Sequence, residues 1–213
     1  MTPLEQSSAT RSICAAAPVV PVLVLDDAST AADLARALVA GGLPALEVTL
    51  RTDAALDAIR EMAQVEGGIV GAGTLLTAAD VKAAKEAGAQ FGVSPGATPH
   101  LLAACQEYGL PLLPGAATAT EAMALLEQGY DMLKFFPAEA AGGAPALKSL
   151  ASPLPQITFC PTGGVSPQNA GSYLALPNVV CVGGSWVAPS SAIAARDWAG
   201  IEALAREAAS LTA

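Results

Sequence analysis

Histidine is all but missing from this chain: His100 is the sole one in 213 residues. Protein sites for zinc or other divalent metals draw on clusters of histidine, cysteine and carboxylate. The four cysteines, Cys14, Cys105, Cys160 and Cys181, are widely spaced and form no C-x-x-C. No protein metal site is therefore expected, and a Ser/His or Cys/His nucleophile would have to use His100. Basic residues are scarce as well, ten against nineteen acids, for a net charge of -9. Nucleic acid and anionic membrane both demand a basic surface, so neither is an expected partner. An anionic metabolite is compatible if charge is placed locally. Long apolar runs are absent too, because Pro, Gly, Asp or Lys interrupts each before the roughly 18–20 residues that span a bilayer. Residues 1–10 contain Glu5 and lack a basic start followed by an apolar stretch. No secretory signal is read there, and the cytoplasm is the expected compartment. Aromatics are few at 4%, but 53% of residues are hydrophobic, mainly Ala, Val and Leu, which supports an ordered core. No linker or break in composition divides residues 1–213, so a single domain is expected.

What is present is a repeating pattern. Eight β-rich runs bounded by turn residues occur at 19–25, 45–50, 69–75, 91–96, 111–116, 132–137, 157–162 and 179–184. Helix-like stretches such as 29–40, 53–66 and 78–87 lie between them. Gly41-Gly42, Gly67-Gly68, Gly88, Gly109 and Gly129 fall where these helices should end, a C-cap signal repeated in register. Alternating β and α units with continuous apolar strands imply a parallel sheet buried on both faces. Eight units close most naturally into an α/β (β/α)8 TIM barrel, the rival being an open doubly wound sheet. Residues 3–15 are read as an extra helix across the barrel floor, within an N-terminal extension of 1–18.

Eight of the ten basic residues sit in helix-like segments, where a solvated face explains them. Lys134 and Arg51 do not. Lys134 interrupts Met132-Leu133-Lys134-Phe135-Phe136-Pro137, Arg51 closes Leu46-Glu47-Val48-Thr49-Leu50-Arg51, and Glu47 is the sole acid in mid-strand. Burying an unpaired charge is costly, so each of these needs a partner or a chemical task. Side chains alternate along a strand. If Leu133, Phe135, Leu46, Val48 and Leu50 face the helices, then Lys134, Phe136, Glu47, Thr49 and Arg51 point into the barrel and converge. One reading is a Lys134–Glu47 ion pair that only holds strands together; such pairs are rarely net stabilising. The other is chemical. A lysine among apolar groups and near Arg51 has its ammonium destabilised, which frees an amine to attack a carbonyl, with Glu47 moving protons through a water.

Pro161-Thr162-Gly163-Gly164 follows the seventh run, and Gly183-Gly184-Ser185-Trp186 ends the eighth. Paired glycines let backbone N–H groups approach an anion, and a following helix start would add partial positive charge. In barrels this is where phosphate is often held. Thr74 and Thr162, at run ends, are placed to bond a substrate carboxylate beside Arg51.

The stretches LEVTLRT (46–52), GAGT (71–74), SPG (94–96), KFFPAE (134–139), FCPTGG (159–164) and GGSW (183–186) closely resemble the 2-keto-3-deoxy-6-phosphogluconate and 4-hydroxy-2-oxoglutarate aldolases, in order and with matching spacing. The resemblance implies a class I carbon–carbon lyase of the Entner–Doudoroff pathway. It would be a homotrimeric (β/α)8 barrel that needs no cofactor and acts on small 2-oxo acids. Carried over by motif, Lys134 would form the Schiff base and Glu47 would transfer protons. Arg51, Thr74 and Pro95 would line the pyruvate end, Phe136 would pack beside the imine, and Thr162 would sit near the carboxylate. Gly163, Gly164, Gly184 and Ser185 would cradle phosphate. One departure stands out: where many relatives carry a basic residue after the first strand, this chain has Asp26-Asp27. Three alternatives stay open at this point: a lyase for the galactonate epimer, an isomerase or epimerase using Glu47 as base, and a non-catalytic sensor of sugar phosphates.

Overall fold

In the computed structural model, which describes residues 1–211, strands and helices alternate along most of the chain. The strands are β1 (Val19–Leu23), β2 (Ala45–Thr49), β3 (Ile69–Gly73), β4 (Phe91–Val93), β5 (Leu112–Leu113), β6 (Gly115–Ala116), β7 (Met132–Phe135), β8 (Thr158–Pro161) and β9 (Val182–Gly184). The helices are α1 (Pro3–Cys14), α2 (Ala31–Ala40), α3 (Ala55–Met62), α4 (Ala78–Glu86), α5 (Pro99–Tyr108), α6 (Ala119–Glu127), α7 (Gly143–Ala151), α8 (Ala170–Leu174), α9 (Ser190–Ala194) and α10 (Trp198–Ala209). Local chemistry explains their starts. Thr77 with Asp80, and Thr118 with Glu121, form reciprocal capping boxes at α4 and α6. Thr98 caps α5, whose first residue is Pro99. None of the described helices is long and apolar enough to cross a membrane.

All strand pairings are parallel, in two sheets ordered β5-β4-β3-β2-β1-β9 and β6-β7-β8. Together they form a curled parallel α/β sheet, with parallel bridges Phe159↔Val179 and Thr162↔Gly183 leading from β8 toward β9. Alternation sorts the two faces. Leu46, Val48, Leu133, Phe135 and Phe159 join the main core under the helices, and Phe135 meets Phe159 edge-on at 6.2 Å. Each such buried side chain contributes about 1.5–3 kcal/mol. The opposite face carries a smaller cluster that includes Val20, Ala45, Phe91, Val93, Leu113 and Met132.

Two of the expected runs are divided, for identifiable reasons. The run 111–116 breaks at Pro114, which has no N–H to give a ladder. Its first half pairs with β4 and its second with β7. The run 179–184 changes neighbours midway: the Val180 amide donates to Phe159 O at 3.0 Å, while that of Val182 donates to Pro18 O at 2.9 Å. Only Val182–Gly184 is strand. The stretch 29–40 likewise opens with a short 3-10 turn at Ala28–Thr30 before α2 begins.

Helix α1 lies across the N-terminal ends of three strands. Gln6 Oε1 accepts the Leu112 amide at 3.1 Å, and Ser7 Oγ accepts the amides of Asp131 and Met132 at 3.1 and 3.4 Å. Arg11 pairs with Asp131 at 2.8 Å and also donates to Thr158. These bonds satisfy strand-end groups that would otherwise be buried without partners.

Candidate active site

Glu47 is central in β2, in register with Val22 of β1 and Gly71 of β3. Lys134 is in register with Gly115 and with Cys160 of β8. Both side chains leave their strands on the inner face, and they meet there: Lys134 Nζ donates to Glu47 Oε1 at 3.2 Å. With exposures of 4% and 3%, the pair is screened from water. The expected convergence is present, but as a direct contact rather than through a water. Lys134 Nζ also stands 5.2 Å from the ring centroid of Phe136, a distance at which the ring face attracts a cation.

Space for Glu47 comes from β3. A Cβ at Gly73 would stand 2.3 Å from Glu47 Oε1 and 2.7 Å from its Cγ, so no larger residue fits without moving the carboxylate. The GAGT motif is thus in part a requirement for clearance, a role that the sequence reading did not give it.

Arg51 lies beyond the end of β2, exposed, and its Nε donates to Thr74 Oγ1 at 3.2 Å. The charged partner that contacts Lys134 is Glu47, whereas Arg51 turns to Thr74. Thr74 has φ 61°, the left-handed region, where a β-branched residue is strained. Strain of this kind gathers at functional sites.

A cavity of about 200 Å³ is lined by Phe136, the ring that stands next to Lys134 Nζ, while Lys134 and Glu47 themselves lie behind its lining. Arg51, Phe136, Thr162, Gly163, Gly164, Gly184 and Ser185 all line it, as the sequence reading grouped them. Val22, Val24, Val165 and Gly183 line it too; only alternation along β1 could have pointed to the first two. Thr74 and Pro95 do not reach it: Thr74 acts on Arg51, and the Pro95 carbonyl lies against Gly115. Gly163 and Gly164 have φ 102° and 78°, which favours glycine and turns successive amides toward one side. Among the described residues, the amides of Gly164, Val165 and Ser185 have no protein acceptor. The expected helix-start contribution is absent. Helices α8 and α9 begin only at Ala170 and Ser190 and run five residues each, so neither starts at the glycine pairs.

The loop after β7 is fastened to the turn at Thr162 and Gly163. Ala138 and Glu139 amides donate to the carbonyls of Thr162 and Gly163 at 2.8 and 3.1 Å. Tyr173 donates its hydroxyl to Glu139, and burial first, then the Glu139 carboxylate, pushes that phenol well above its ordinary range. Asp26 and Asp27 lie outside this cavity, in a larger neighbouring one of about 360 Å³ that shares Val24 and includes Arg196. Asp27 accepts the Ser29 hydroxyl and amide at 2.7 and 2.8 Å. Those bonds, with Arg196 nearby, hold its carboxyl below the usual range.

The site thus sets a buried amine against a carboxylate, near a cavity edged by amides that have no protein acceptor. Residues 10–204 match the family model for KDPG and KHG aldolase, and the chain belongs to that family of carbon–carbon lyases. It is 52% identical to the KHG/KDPG aldolase of Escherichia coli K12, over 92% of this chain and 93% of that protein. The crystal structure of the Zymomonas mobilis ZM4 2-keto-3-deoxy-6-phosphogluconate aldolase with 3-phosphoglycerate superposes with a TM-score of 0.92 at 50% identity, covering 96% of each chain. The Legionella pneumophila enzyme, with pyruvate captured at low pH as a covalent carbinolamine, superposes at 0.91 with 45% identity, covering 94% of this chain and 98% of that one.

Proposed function

We propose that this chain is a class I aldolase that cleaves 2-dehydro-3-deoxy-6-phospho-D-gluconate to pyruvate and D-glyceraldehyde 3-phosphate, and 4-hydroxy-2-oxoglutarate to pyruvate and glyoxylate. The observation that carries the reading is the buried Lys134–Glu47 contact at 3.2 Å. Moving one proton from Nζ to Oε1 converts the ion pair into amine and carboxylic acid with no change in net charge, so it needs no help from solvent. The amine attacks C2 of the 2-oxo acid, and Glu47 returns its proton to the departing hydroxyl, leaving a protonated imine. Glu47, again a carboxylate, takes the C4 hydroxyl proton; the C3–C4 bond breaks, its electrons pass to the imine nitrogen, and the aldehyde leaves. Reprotonation of the enamine at C3 and hydrolysis release pyruvate. Arg51, kept in place by Thr74, binds the carboxylate with Thr162, and Phe136 packs beside the imine. Gly163, Gly164, Gly184 and Ser185 cradle the phosphate.

In this reading the two sheets are one closed (β/α)8 barrel. The continuity of β5 and β6 across Pro114 and the bridges from β8 toward β9 support closure. Residues 1–211 form one domain, with α1 as the N-terminal addition, residues 212–213 lying outside the described residues, and the enzyme works as a cytoplasmic homotrimer. Sedimentation equilibrium at micromolar concentration checks the assembly, the expected mass being three chains.

The direct test is to mix the protein with pyruvate, reduce with borohydride and map the product. A pyruvate-dependent adduct confined to Lys134 is expected; a folded protein that gains none contradicts the reading. Gly73→Ala should lower kcat by roughly 10²-fold, since a misplacement near 1 Å at the reacting groups costs that much, while imine trapping continues. Thr74→Gly relieves strain of about 1–3 kcal/mol against about 0.5–1 kcal/mol of added unfolded-chain freedom. The melting temperature should hold or rise while KM for the 2-oxo acid increases severalfold, because Arg51 loses its acceptor. A large drop in melting temperature would show that the hydroxyl serves stability instead.

A further inference from the structure

Cys14, from the last turn of α1, meets Cys160 of β8 and Cys181, just before β9, inside the curled sheet. All three are buried and none is in a disulfide. Their sulfurs lie within 4.8 Å of one another, and no histidine, carboxylate or further cysteine joins the group among the described residues. The surroundings are mainly apolar, Val20, Ala45, Phe91, Val93, Leu113 and the thioether Met132, with the Thr162 hydroxyl oxygen 3.9 Å from Cys160 Sγ. Around one centre with bonds of about 2.3 Å, three sulfurs stand about 4 Å or less apart, so a small adjustment brings all three into ligation. Thiolates select soft centres. Charge and coordination number then choose among them. Zinc asks for a fourth ligand, and a zinc trithiolate would leave one net negative charge; copper(I) would leave two. The neighbouring cation, Lys134, is already paired with Glu47, so neither excess has a counter-charge, and a buried uncompensated charge is costly. A trivalent, three-coordinate centre leaves none.

We propose that Cys14, Cys160 and Cys181 form a second ligand site, on the α1 side of Lys134, that takes trivalent arsenic of the arsenite class as a neutral trithiolate. Uncharged As(OH)3 and three thiols give As(SR)3 and three waters: three As–O bonds are exchanged for three As–S bonds, the thiol protons leave in the water, and no oxidant or reductant is needed. Cys160 shares its register position with Lys134, and Thr162, two residues on, lines the substrate cavity. Loading should therefore also disturb the active site.

The test is titration of the reduced, folded protein with sodium arsenite, read by native mass spectrometry and by the count of thiols left for a thiol reagent after unfolding. One arsenic per chain is expected, with three thiols protected and cleavage activity falling at the same concentration. Cys105→Ala, a buried cysteine outside the group, should behave as wild type. Cys14→Ala and Cys181→Ala should each bind roughly 10²-fold or more weakly, having lost one intramolecular closure. No arsenic on the folded protein, equal binding by the Cys14→Ala and Cys181→Ala variants, or one zinc bound more tightly than arsenic would each overturn the proposal. The mass and thiol readings do not depend on catalysis, so failure here is distinguishable from failure of the aldolase reading.

Discussion

Lys134→Ala will lose cleavage by at least about 10⁴-fold, the scale that follows removal of a covalent nucleophile, and will give no pyruvate adduct with borohydride. It will also be less stable by about 3–5 kcal/mol, because Glu47 is left buried and unpaired. That second effect allows the two meanings of the ion pair to be separated. Removing both charges with Lys134→Met and Glu47→Leu together restores an apolar interior of similar volume, a change that is often neutral or stabilising. The double variant should therefore recover its melting temperature and none of its activity. Recovery of both would show that the pair only holds strands together; near-normal turnover in Lys134→Ala would end the Schiff-base assignment outright.

Glu47→Gln is expected to reduce kcat by roughly 10²- to 10⁴-fold, the range that a positioned proton carrier supplies. The amide keeps nearly the same volume beneath Gly73 and can still accept from Nζ, so the fold and the cavity should persist. Trapping at Lys134 should continue at a reduced rate, and exchange of the C3 protons of pyruvate should slow together with cleavage. The exchange reaction involves no aldehyde, so it reports on proton transfer alone. If exchange stays at the wild-type rate while cleavage falls, Glu47 acts on the C4 hydroxyl only; if both stay at the wild-type rate, it is structural.

Alternation along two short runs made the centre of the site legible. Leu133 and Phe135 against Lys134, and Leu46 and Val48 against Glu47, are enough to place both charges inside, and they meet there at 3.2 Å. What alternation cannot give is what lies across from a residue. The clearance that Gly73 leaves for Glu47, and the gathering of Cys14, Cys160 and Cys181, depend on register and on where α1 docks, and no local pattern encodes either. Arg51 shows the limit at a strand end. Its period placed it on the inner face, but the strand stops at Thr49, and the side chain is aimed by Thr74, whose left-handed φ no residue preference would suggest. Pro114 was a visible warning that the fifth run would break, whereas the exchange of neighbours near Cys181 had no comparable signal.

Helix α1 carries a consequence for the order of assembly. Its polar contacts reach Leu112, Asp131 and Thr158, with separations of 106, 120 and 147 residues. Contacts this distant close large loops and are slow to form. Because these partners follow α1 so far along the chain, the helix cannot complete its docking until β8 has been made, and it completes the fold among the last. A chain truncated before Thr158 would contain α2 to α7 and still have no complete seat for α1.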